Sequence, residues 1–449
     1  MAERKRVVTR RTRAVKKGAG KFKFTREMIP SLANGKPEAK FISTYRDKAW
    51  KAFEKLDLPS TKEEAWRRTD LNRLETDSFK ISDSKGEWKV PEDFIQTILE
   101  GQAGGKIVFT PNGTDSSFLS PEIKEKGIIF TDLQSAATEY PKVLKKILGQ
   151  IVRVDEDIFS AMAAAFSRVG VFLYVPKGVQ VEMPLQSLYW GTDSVSAHFS
   201  HVLVFLEDQS SAIFIQEYNS SASNSQHLHS GITEIFIGKG ANLRFIEVQS
   251  WGDQVWNFSH ERARVESDGN LEWIYSATGS HLTKNFSDID LVGQGATGKM
   301  AGFYFTDGTQ HLDHDTQQNH LAPNTTSDLL FKGALKDNSR SVWQGMIYVA
   351  PGAQKTDGYQ SNPNLILDKS AKADSIPGLE IMADDVRCTH GATVGKIDPD
   401  EVFYLNTRGI PTEEAERLIV EGFFDPIMQK IPFENLRERL QKAVVDKLG

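Results

Sequence analysis

The chain has 449 residues, of which 39% are hydrophobic and 25% are charged, as in an ordinary globular protein with room for two or three domains. The formal net charge is −6, although residues 1–26 hold eleven Lys and Arg residues and a single acid, Glu3. The rest of the chain is therefore acidic and is not expected to bind nucleic acid. The single cysteine excludes an intrachain disulfide and is typical of a reducing compartment.

The sequence contains neither a membrane-spanning apolar run nor a secretory signal, so we expect a soluble cytoplasmic protein that does not bind membranes. The basic run RKRVVTRRTRAVKK lacks a periodic apolar face and predicts a disordered basic tail over residues 1–36. The alternative is a remnant of a targeting sequence, which would place the protein in an organelle stroma.

A mostly helical N-terminal region is predicted over residues 37–170. Trp50, Phe53 and Leu56 recur at helical spacing, and Pro59 follows them as a stop signal. Farther along, the runs KIVFT and GIIFTD predict short strands, whereas ATEYPKVLKKILGQIV and DIFSAMAAAF predict helices.

A β-rich core is predicted over residues 171–405, where strand-like runs follow one another without intervening helices: VFLYV, HVLVFLE, AIFIQEY, TEIFIG, LRFIEVQ, LEWIYSA and SVWQGMIYV. Gly240, Gly269 and Gly295 lie in turns between such runs, 29 and 26 residues apart. A loose repeat of this length, made of strands alone, favours a parallel β-helix. Antiparallel hairpins packed as a β-sandwich are the alternative, because GKGAN and SDGN are also good hairpin turns.

The chain returns to helix in a C-terminal region, residues 406–449. Pro411 is well placed to open a helix, and IPTEEAERLIVEGFF carries an apolar stripe that includes Leu418 and Phe423. A β-helix needs both of its ends covered, and helical regions before and after the core fit that need.

The only cysteine, Cys388, lies two positions before His390 in the run DDVRCTHGATVGKID. On an extended segment the two side chains point to the same face, and thiolate and imidazole together suit a soft metal. Two ligands do not complete a tetrahedral site, so the others would come from distant residues, a second chain or a sulfur-bearing substrate. The alternative is a small buried thiol beside a hydrogen-bonded histidine.

Histidine and aspartate are concentrated in DGTQHLDHDTQQNHLAP, which contains His311, His314, His320, Asp307, Asp313 and Asp315. On a strand, His311 and Asp313 would face one way and His314 the other, so they could not all bind one ion without a turn. A polar face with hydrogen bonds across neighbouring turns is the alternative to a metal site.

Other chemistries have weaker signals. The glycine-rich run GQGATG lies between strands and is interpreted as a turn, and no phosphate-binding loop of the nucleotide hydrolases is present. Carboxylate pairs such as Asp384-Asp385 and Asp288/Asp290 leave open a carbohydrate-active β-helix enzyme.

The run DDVRCTHGATVGKID, followed by YLNTRGIPTEEAERLIVEGFFDPIMQKIP, resembles the C-terminal signature of the SufB/SufD family of iron–sulfur cluster assembly proteins. KFISTYRDKAWKAFEKLDLPSTKEEAWRRTDL resembles the N-terminal region of the SufD branch. The resemblance covers roughly residues 40–445. The SufB branch usually has a glutamate where this chain has Gly391, and it has further cysteines, so the chain resembles SufD.

The resemblance implies a mainly β fold with a right-handed parallel β-helix core between helical terminal regions. It also implies a non-enzymatic scaffold subunit that works with a SufB-like paralogue and a SufC-like ATPase. Iron or a nascent iron–sulfur cluster would be held transiently at the interface with SufB, with nothing bound permanently. An isolated chain pairing with itself as a homodimeric scaffold is the alternative assembly.

The same resemblance assigns roles to individual residues. His390 matches the histidine that helps to hold iron or the cluster, and Cys388 matches its neighbour in the motif. The helical segment that matches the region that docks SufC contributes five candidate partner-binding residues: Arg408, Glu414, Leu418, Phe423 and Phe424.

Overall fold

The computed structural model describes residues 21–32, 38–81, 90–92, 94, 103–111, 113–191 and 197–448. Much of the predicted basic tail, 1–36, lies outside the described residues. Within it, Phe22 and Phe24 are buried, and Phe24 packs edge-on against Phe166 with the ring centroids 5.4 Å apart. Across the described residues, no helix combines the length and the apolar character needed to cross a membrane.

In the part that the structure describes, the N-terminal region contains helices and three strands. Its helices are the 3₁₀ turns Arg26–Met28 and Glu64–Trp66 and the α-helices α1 Lys40–Lys55, α2 Pro121–Glu125, α3 Leu133–Glu139, α4 Pro141–Ile147 and α5 Ile158–Phe166. Its strands are β1 Gly105–Thr110, β2 Gly113–Leu119 and β3 Ile129–Asp132. Helix α5 is buried along its whole length and is capped by Asp157, the residue before it, whose carboxylate accepts hydrogen bonds from the backbone N–H groups of Phe159 and Ser160.

Sixteen further strands build the core. They are β4 Val171–Val175, β5 Leu185–Gly191, β6 Ala197–Leu206, β7 Ser211–Ser220, β8 His227–Ile237, β9 Asn242–Ser250, β10 Val255–Val265, β11 Asn270–Ala277, β12 Leu282–Leu291, β13 Thr297–Thr306, β14 His311–His320, β15 Thr326–Leu335, β16 Arg340–Val349, β17 Thr356–Ile366, β18 Lys372–Ile381 and β19 Val386–Lys396. Even-numbered strands from β4 onward form sheet A, and odd-numbered strands from β5 onward form sheet B.

Each turn of the core adds one strand to each sheet, and neighbours within a sheet are parallel. Leu282 of β12, for example, pairs with Trp256 of β10 on one side and with His311 of β14 on the other. The result is a parallel β-solenoid of about eight turns with helices at both termini, as predicted. The hairpin sandwich is therefore wrong. Hairpin and solenoid turns use the same residues, and Gly240 and Gly295 occupy the left-handed region at φ 63° and 74°.

The solenoid ends differently at its two extremities. At the N-terminal end, β3 pairs antiparallel with β4, and β2 pairs antiparallel with β1, which itself lies parallel to β5. At the C-terminal end, β18 and β19 are the outermost strands, and within the described chain each is paired along one edge only.

The terminal regions cover opposite outer faces. The loop after α4 is fixed to sheet A because the buried Glu234 carboxylate accepts hydrogen bonds from the backbone N–H groups of Gly149 and Ile151, at 2.7 and 2.8 Å. Three C-terminal helices follow the solenoid: α6 Pro399–Thr407, α7 Thr412–Met428 and α8 Glu434–Leu448. Helix α7 packs on sheet B through Phe424, whose ring centroid lies 5.1 Å from that of Phe303.

Candidate functional site

The last strand, β19, carries the Cys-x-His pair. In the parallel register, Cys388 lies beside Gly358 and His390 beside Gln360 of β17. Gly358 and Gln360 are buried and alternate with exposed neighbours, so they face the interior of the solenoid. Cys388 and His390 occupy the matching positions and face the same way, as their spacing predicts.

Among the strands that the structure describes, none covers β19, and the two side chains differ in exposure. Cys388 is half-buried and packs against the apolar cluster that includes Ile347 and Val349, whereas His390 is exposed. Burial raises the pKa of the Cys388 thiol above its ordinary value; a hydrogen bond with the Gly358 backbone opposes that rise, and the Asp357 charge adds to it. The thiol is therefore protonated at neutral pH until a cation displaces its proton.

This pair alone is an incomplete set of metal ligands. Within the part of the chain that the structure describes, three or more His, Cys, Asp or Glu side chains nowhere come together in a way that could hold a metal ion. His320 lies near Cys388, but both of its ring nitrogens already take part in hydrogen bonds. Its Nδ1 is 2.8 Å from Thr325 Oγ1, and its Nε2 is 2.9 Å from Ser327 Oγ. A soft metal bound by Cys388 and His390 therefore needs ligands from outside this chain.

The second histidine-rich candidate is divided between two faces of β14. On the outer side of sheet A, Lys284 Nζ donates to Asp315 at 2.8 Å and forms an ion pair with Asp313 at 3.0 Å, and Thr69 of the N-terminal region donates to Asp313. His314 points inward and packs against Tyr304, with the ring centroids 5.4 Å apart. These side chains make hydrogen bonds and ring contacts, as in the polar-face alternative, and they do not form one site.

The remaining members of that histidine-rich stretch are also engaged. His311 Nε2 lies 3.1 Å from Thr69 Oγ1, and Asp307 forms an ion pair with Lys447 of α8. The glycine-rich run GQGATG forms the turn between β12 and β13, as the sequence predicts.

The predicted partner-binding residues are distributed unevenly around α6 and α7. Leu418 is 38% exposed, the Arg408 guanidinium lies 5.2 Å from the centre of the Tyr404 ring, and Glu414 forms an ion pair with Arg417. These three predicted side chains are accessible to another protein.

The other two predicted residues pack toward the solenoid. Phe423 is partly buried and lies under Lys332 Nζ, which is 4.6 Å from the ring centre and also donates to the Phe423 carbonyl at 2.7 Å. Phe424 is buried against Phe303, so a partner cannot reach its side chain in this arrangement.

Two exposed aromatic residues lie just before the predicted segment. Phe403 and Tyr404 of α6 are 68% and 57% exposed, and α6 contains no buried residue. The signal in the sequence was an aromatic pair in a short capped segment, PDEVFYLNT, which belongs to no strand of the repeat. We call the exposed side chains of Phe403, Tyr404, Arg408 and Leu418 the α6–α7 surface.

A second exposed apolar area borders the Cys-x-His pair. It consists of side chains at the ends of β18 and β19: Leu379, Ile381, Met382 and Val394. Val394 faces the interior at the position beside Asn364 of β17, yet it is 49% exposed. Apolar side chains of this kind, next to free strand edges, are typical of a protein–protein interface.

Two family models cover most of the chain. The SUF system FeS cluster assembly SufBD core domain matches residues 189–423, and the SufBD protein N-terminal region matches residues 31–187. The chain belongs to the SufBD family. The resemblance in the sequence is thereby confirmed, and with it a role in iron–sulfur cluster assembly.

Curated SufBD relatives match along nearly the full chain. The iron-sulfur cluster assembly protein SufD of Bacillus subtilis (strain 168) is 29% identical over 435 residues, which cover 95% of this chain and 99% of the relative. An iron-sulfur cluster assembly SufBD family protein of Staphylococcus saprophyticus is 29% identical over 435 residues, covering 92% and 90%. These matches support the assignment to the SufD branch.

Proposed function

We propose that this SufBD chain is the SufD-like subunit of a SufBCD-type complex. It acts as a non-enzymatic scaffold that pairs with a SufB-like paralogue and docks a SufC-like ATPase. The observation that carries the proposal is the open last turn of the solenoid, where Cys388 and His390 face an interior that no further strand covers within the described residues. A cytoplasmic location accompanies this proposal.

The Cys388 thiol and the His390 imidazole suit a metal ion or cluster that is bound only temporarily. One thiol and one imidazole are too few to retain a metal ion, but they can share one with thiolates of a second chain placed against β19. Because the Cys388 pKa is raised by burial, cargo binding would release a proton, and affinity would increase with pH. Iron or a nascent cluster is the substrate held there, and it is passed on afterwards.

The SufB-like partner is assigned to the last turn. The edges of β18 and β19 offer unpaired backbone groups along strands of 10 and 11 residues, and exposed apolar side chains surround them. A second chain with a similar solenoid end could extend both sheets and cover Val394 and His390. A second copy of this chain could also do so, and the resulting homodimer would contribute two Cys388 and two His390 side chains.

The central test measures whether the complex assembles and how much iron and sulfide it binds. The chain is co-expressed with the SufB-like and SufC-like chains, purified without oxygen and reconstituted, and iron and sulfide are measured per complex. His390→Ala is expected to leave the complex intact and to reduce iron per complex several-fold, since loss of one ligand costs about 10-fold or more in affinity. Cys388→Ser should have the smaller effect, because the partner supplies its own thiols.

The control for this test is Thr389→Ala, which changes the neighbouring residue on the opposite, outer face of the same strand. It should retain the iron content of the wild type. Unchanged iron in His390→Ala would refute the ligand role. A homodimer that assembles iron and sulfide as well as the mixed complex would refute the SufB-like partner.

The α6–α7 surface is assigned to the SufC-like ATPase. Phe403→Asp and Leu418→Asp should each weaken binding of the ATPase by 10-fold or more, because an exposed apolar anchor is replaced by a charge. Phe118→Asp is the matched control: Phe118 is 54% exposed on β2, at the opposite end of the solenoid. If all three variants bind the ATPase equally well, the assignment of this surface is wrong.

A further inference from the structure

The interior of the middle turns is apolar along one half and polar along the other. The apolar half includes Leu243 and Phe245 of β9, while later inward positions on the same strand are Glu247 and Gln249. The facing strand β10 follows the same division. Polar side chains therefore line a chamber inside the solenoid, between β9 and β10.

The chamber contains two carboxyl groups and is about 10 Å³ in volume, enough for one water-sized sphere. Glu247 and Glu261 are each 3% exposed and lie within hydrogen-bonding reach of each other. Among the described residues, neither a lysine nor an arginine lines this chamber. Two adjacent carboxylates without a counter-charge would repel strongly in such a dry environment.

The two groups have unequal hydrogen-bond partners. Glu261 Oε2 accepts a hydrogen bond from Ser287 Oγ at 3.0 Å, whereas Glu247 Oε2 has no donor partner although it is fully buried. An ionised carboxylate is stabilised by donors, and a protonated carboxyl group supplies a donor of its own. The Ser287 contact therefore favours the charge on Glu261 and the proton on Glu247.

We propose that Glu247 and Glu261 form a buried proton-binding site, in which protonated Glu247 donates a hydrogen bond to the ionised Glu261 carboxylate. The pair then carries one negative charge instead of two. The ligand of the chamber is a single proton, and its binding couples the charge inside the solenoid to pH.

The electrostatic environment agrees with this assignment. Burial raises the pKa of both carboxyl groups. The Glu261 charge raises the pKa of Glu247 further, and a single hydrogen bond, with Trp273, opposes that rise, whereas hydrogen bonds with Asn285, Ser287 and Ser259 oppose the rise in the pKa of Glu261. The titratable neighbours on the other packed strands are Tyr218, Tyr275 and His229. Burial raises the pKa of both tyrosines and lowers that of His229 to about 4, so all three are neutral at pH 7.

Substitution of each glutamate by glutamine gives a sharp test. Glu247→Gln keeps a neutral hydrogen-bond donor at position 247 that does not titrate, so its melting temperature should match that of the wild type near pH 4 and lie above it at pH 7. Glu261→Gln removes the residue that carries the charge and should melt several degrees lower. Glu266→Gln is the control, because Glu266 follows the same strand but its side chain is partly exposed.

The proton itself is read out by infrared spectroscopy. The wild type at pH 7 should show the band of a buried carboxylic acid that is missing from Glu247→Gln and present in Glu266→Gln. A raised folded pKa means that the contribution to stability is present at low pH and is lost as pH rises above the ordinary glutamate value of about 4.3. Between pH 5 and pH 9 the melting temperature of the wild type, measured relative to that of Glu247→Gln, should therefore fall by a few degrees.

Three outcomes would overturn the proton-binding site. They are a wild-type spectrum without the difference band, a Glu247→Gln variant that fails to fold at pH 7, and a cation that takes the place of the proton. The last is tested by adding Mg²⁺ or Mn²⁺ at pH 8: a rise in the melting temperature of the wild type that Glu247→Gln lacks would show that the chamber binds a divalent cation.

Discussion

The two ends of the solenoid show how the same strand pattern leads to opposite environments. At the N-terminal end the sheets finish on the short antiparallel strands β2 and β3, of 7 and 4 residues. At the C-terminal end they finish on the long parallel strands β18 and β19, and no turn in the described part of the chain lies above the inward-facing side chains of β19. Position along the solenoid axis, and not the local sequence, therefore decides whether an inward-facing residue becomes core or surface.

Histidine gives the clearest contrast between the covered turns and the open end. In the covered turns, burial lowers the pKa of His314 to about 3 and that of His320 to about 4, so both are neutral inside the solenoid. His390 also faces the interior, but it is exposed on the last strand. An imidazole side chain therefore contributes to packing in the covered turns and is available for binding at the open end.

The largest expected effect is loss of stability in acid, caused by the histidines of the covered turns. The pKa values of His229, His314 and His320 lie below the ordinary value of about 6.5, so their contribution to stability is present above that pH and is lost as the pH falls toward 4. Each shift corresponds to an order of 3 kcal/mol. Denaturant unfolding at pH 7.5 and pH 5 should show a large fall in the free energy of unfolding.

His314→Gln should reduce this pH dependence, because glutamine cannot take up the proton that disrupts the interior. His390→Gln is the control at the open end and is expected to leave the free energy of unfolding at pH 7.5 unchanged. Equal pH dependence in the wild type and His314→Gln would contradict the proposed origin of acid unfolding.

Truncating an inward-facing apolar side chain should change the free energy of unfolding less than the titration of the histidines does. Phe245 is fully buried in β9, whereas Val394 faces the interior from β19 and is 49% exposed. Phe245→Ala should reduce the free energy of unfolding by about 3–5 kcal/mol through lost burial and a cavity, and Val394→Ala by less than about 0.5 kcal/mol.

Urea titrations of the isolated chain would measure both values. Repeating the titration with the SufB-like chain present sharpens the comparison, because Val394→Ala should become costly only when a partner covers the last turn. Similar losses for Phe245→Ala and Val394→Ala in the isolated chain would mean that the last turn is as well packed as the middle.

The sequence predicted the apolar strands well and the polar ones poorly. Runs such as VFLYV and LEWIYSA became β4 and β11, but the stretches that form β12 and β14, LTKNFSDIDL and HLDHDTQQNH, were not recognised as strands. The reason is that the outer face of sheet A carries charged contacts to the N-terminal region, and half of the interior is polar as well. Lys284 illustrates this, since it is fully buried between Asp313 and Asp315.

The candidate site was predictable only in part. Period-two geometry placed Cys388 and His390 on one face, but their exposure depends on β19 being the last strand, which no local pattern encodes. On α7, the predicted partner-binding segment grouped Leu418 with Phe424, although only Leu418 is exposed. A stripe that is apolar over more than one face leaves open which side meets the solenoid, and the packing of Phe424 against Phe303 settles it.

The smallest expected effect comes from two glycines on neighbouring strands. A methyl group at Gly358 of β17 would lie 3.3 Å from both Cys388 Sγ and Ile347 Cγ2, and 3.4 Å from His320 Nε2. Relief of this crowding needs shifts of a few tenths of an ångström, so Gly358→Ala should lower the free energy of unfolding by about 1 kcal/mol. A methyl group added at Gly395 of β19 would have no neighbouring atom within 4 Å, so Gly395→Ala should be neutral or stabilising by up to about 0.5 kcal/mol.

Both glycine variants can be compared by urea unfolding of the isolated chain and by the reactivity of Cys388 toward a thiol reagent. Because the added methyl group presses on Sγ, Gly358→Ala should move the thiol toward solvent and increase its labelling rate, whereas Gly395→Ala should leave that rate unchanged. If Gly358→Ala is as well tolerated as Gly395→Ala and labels no faster, the interior below the last turn is loosely packed. The contrast between covered and open turns would then begin one turn earlier, at β17.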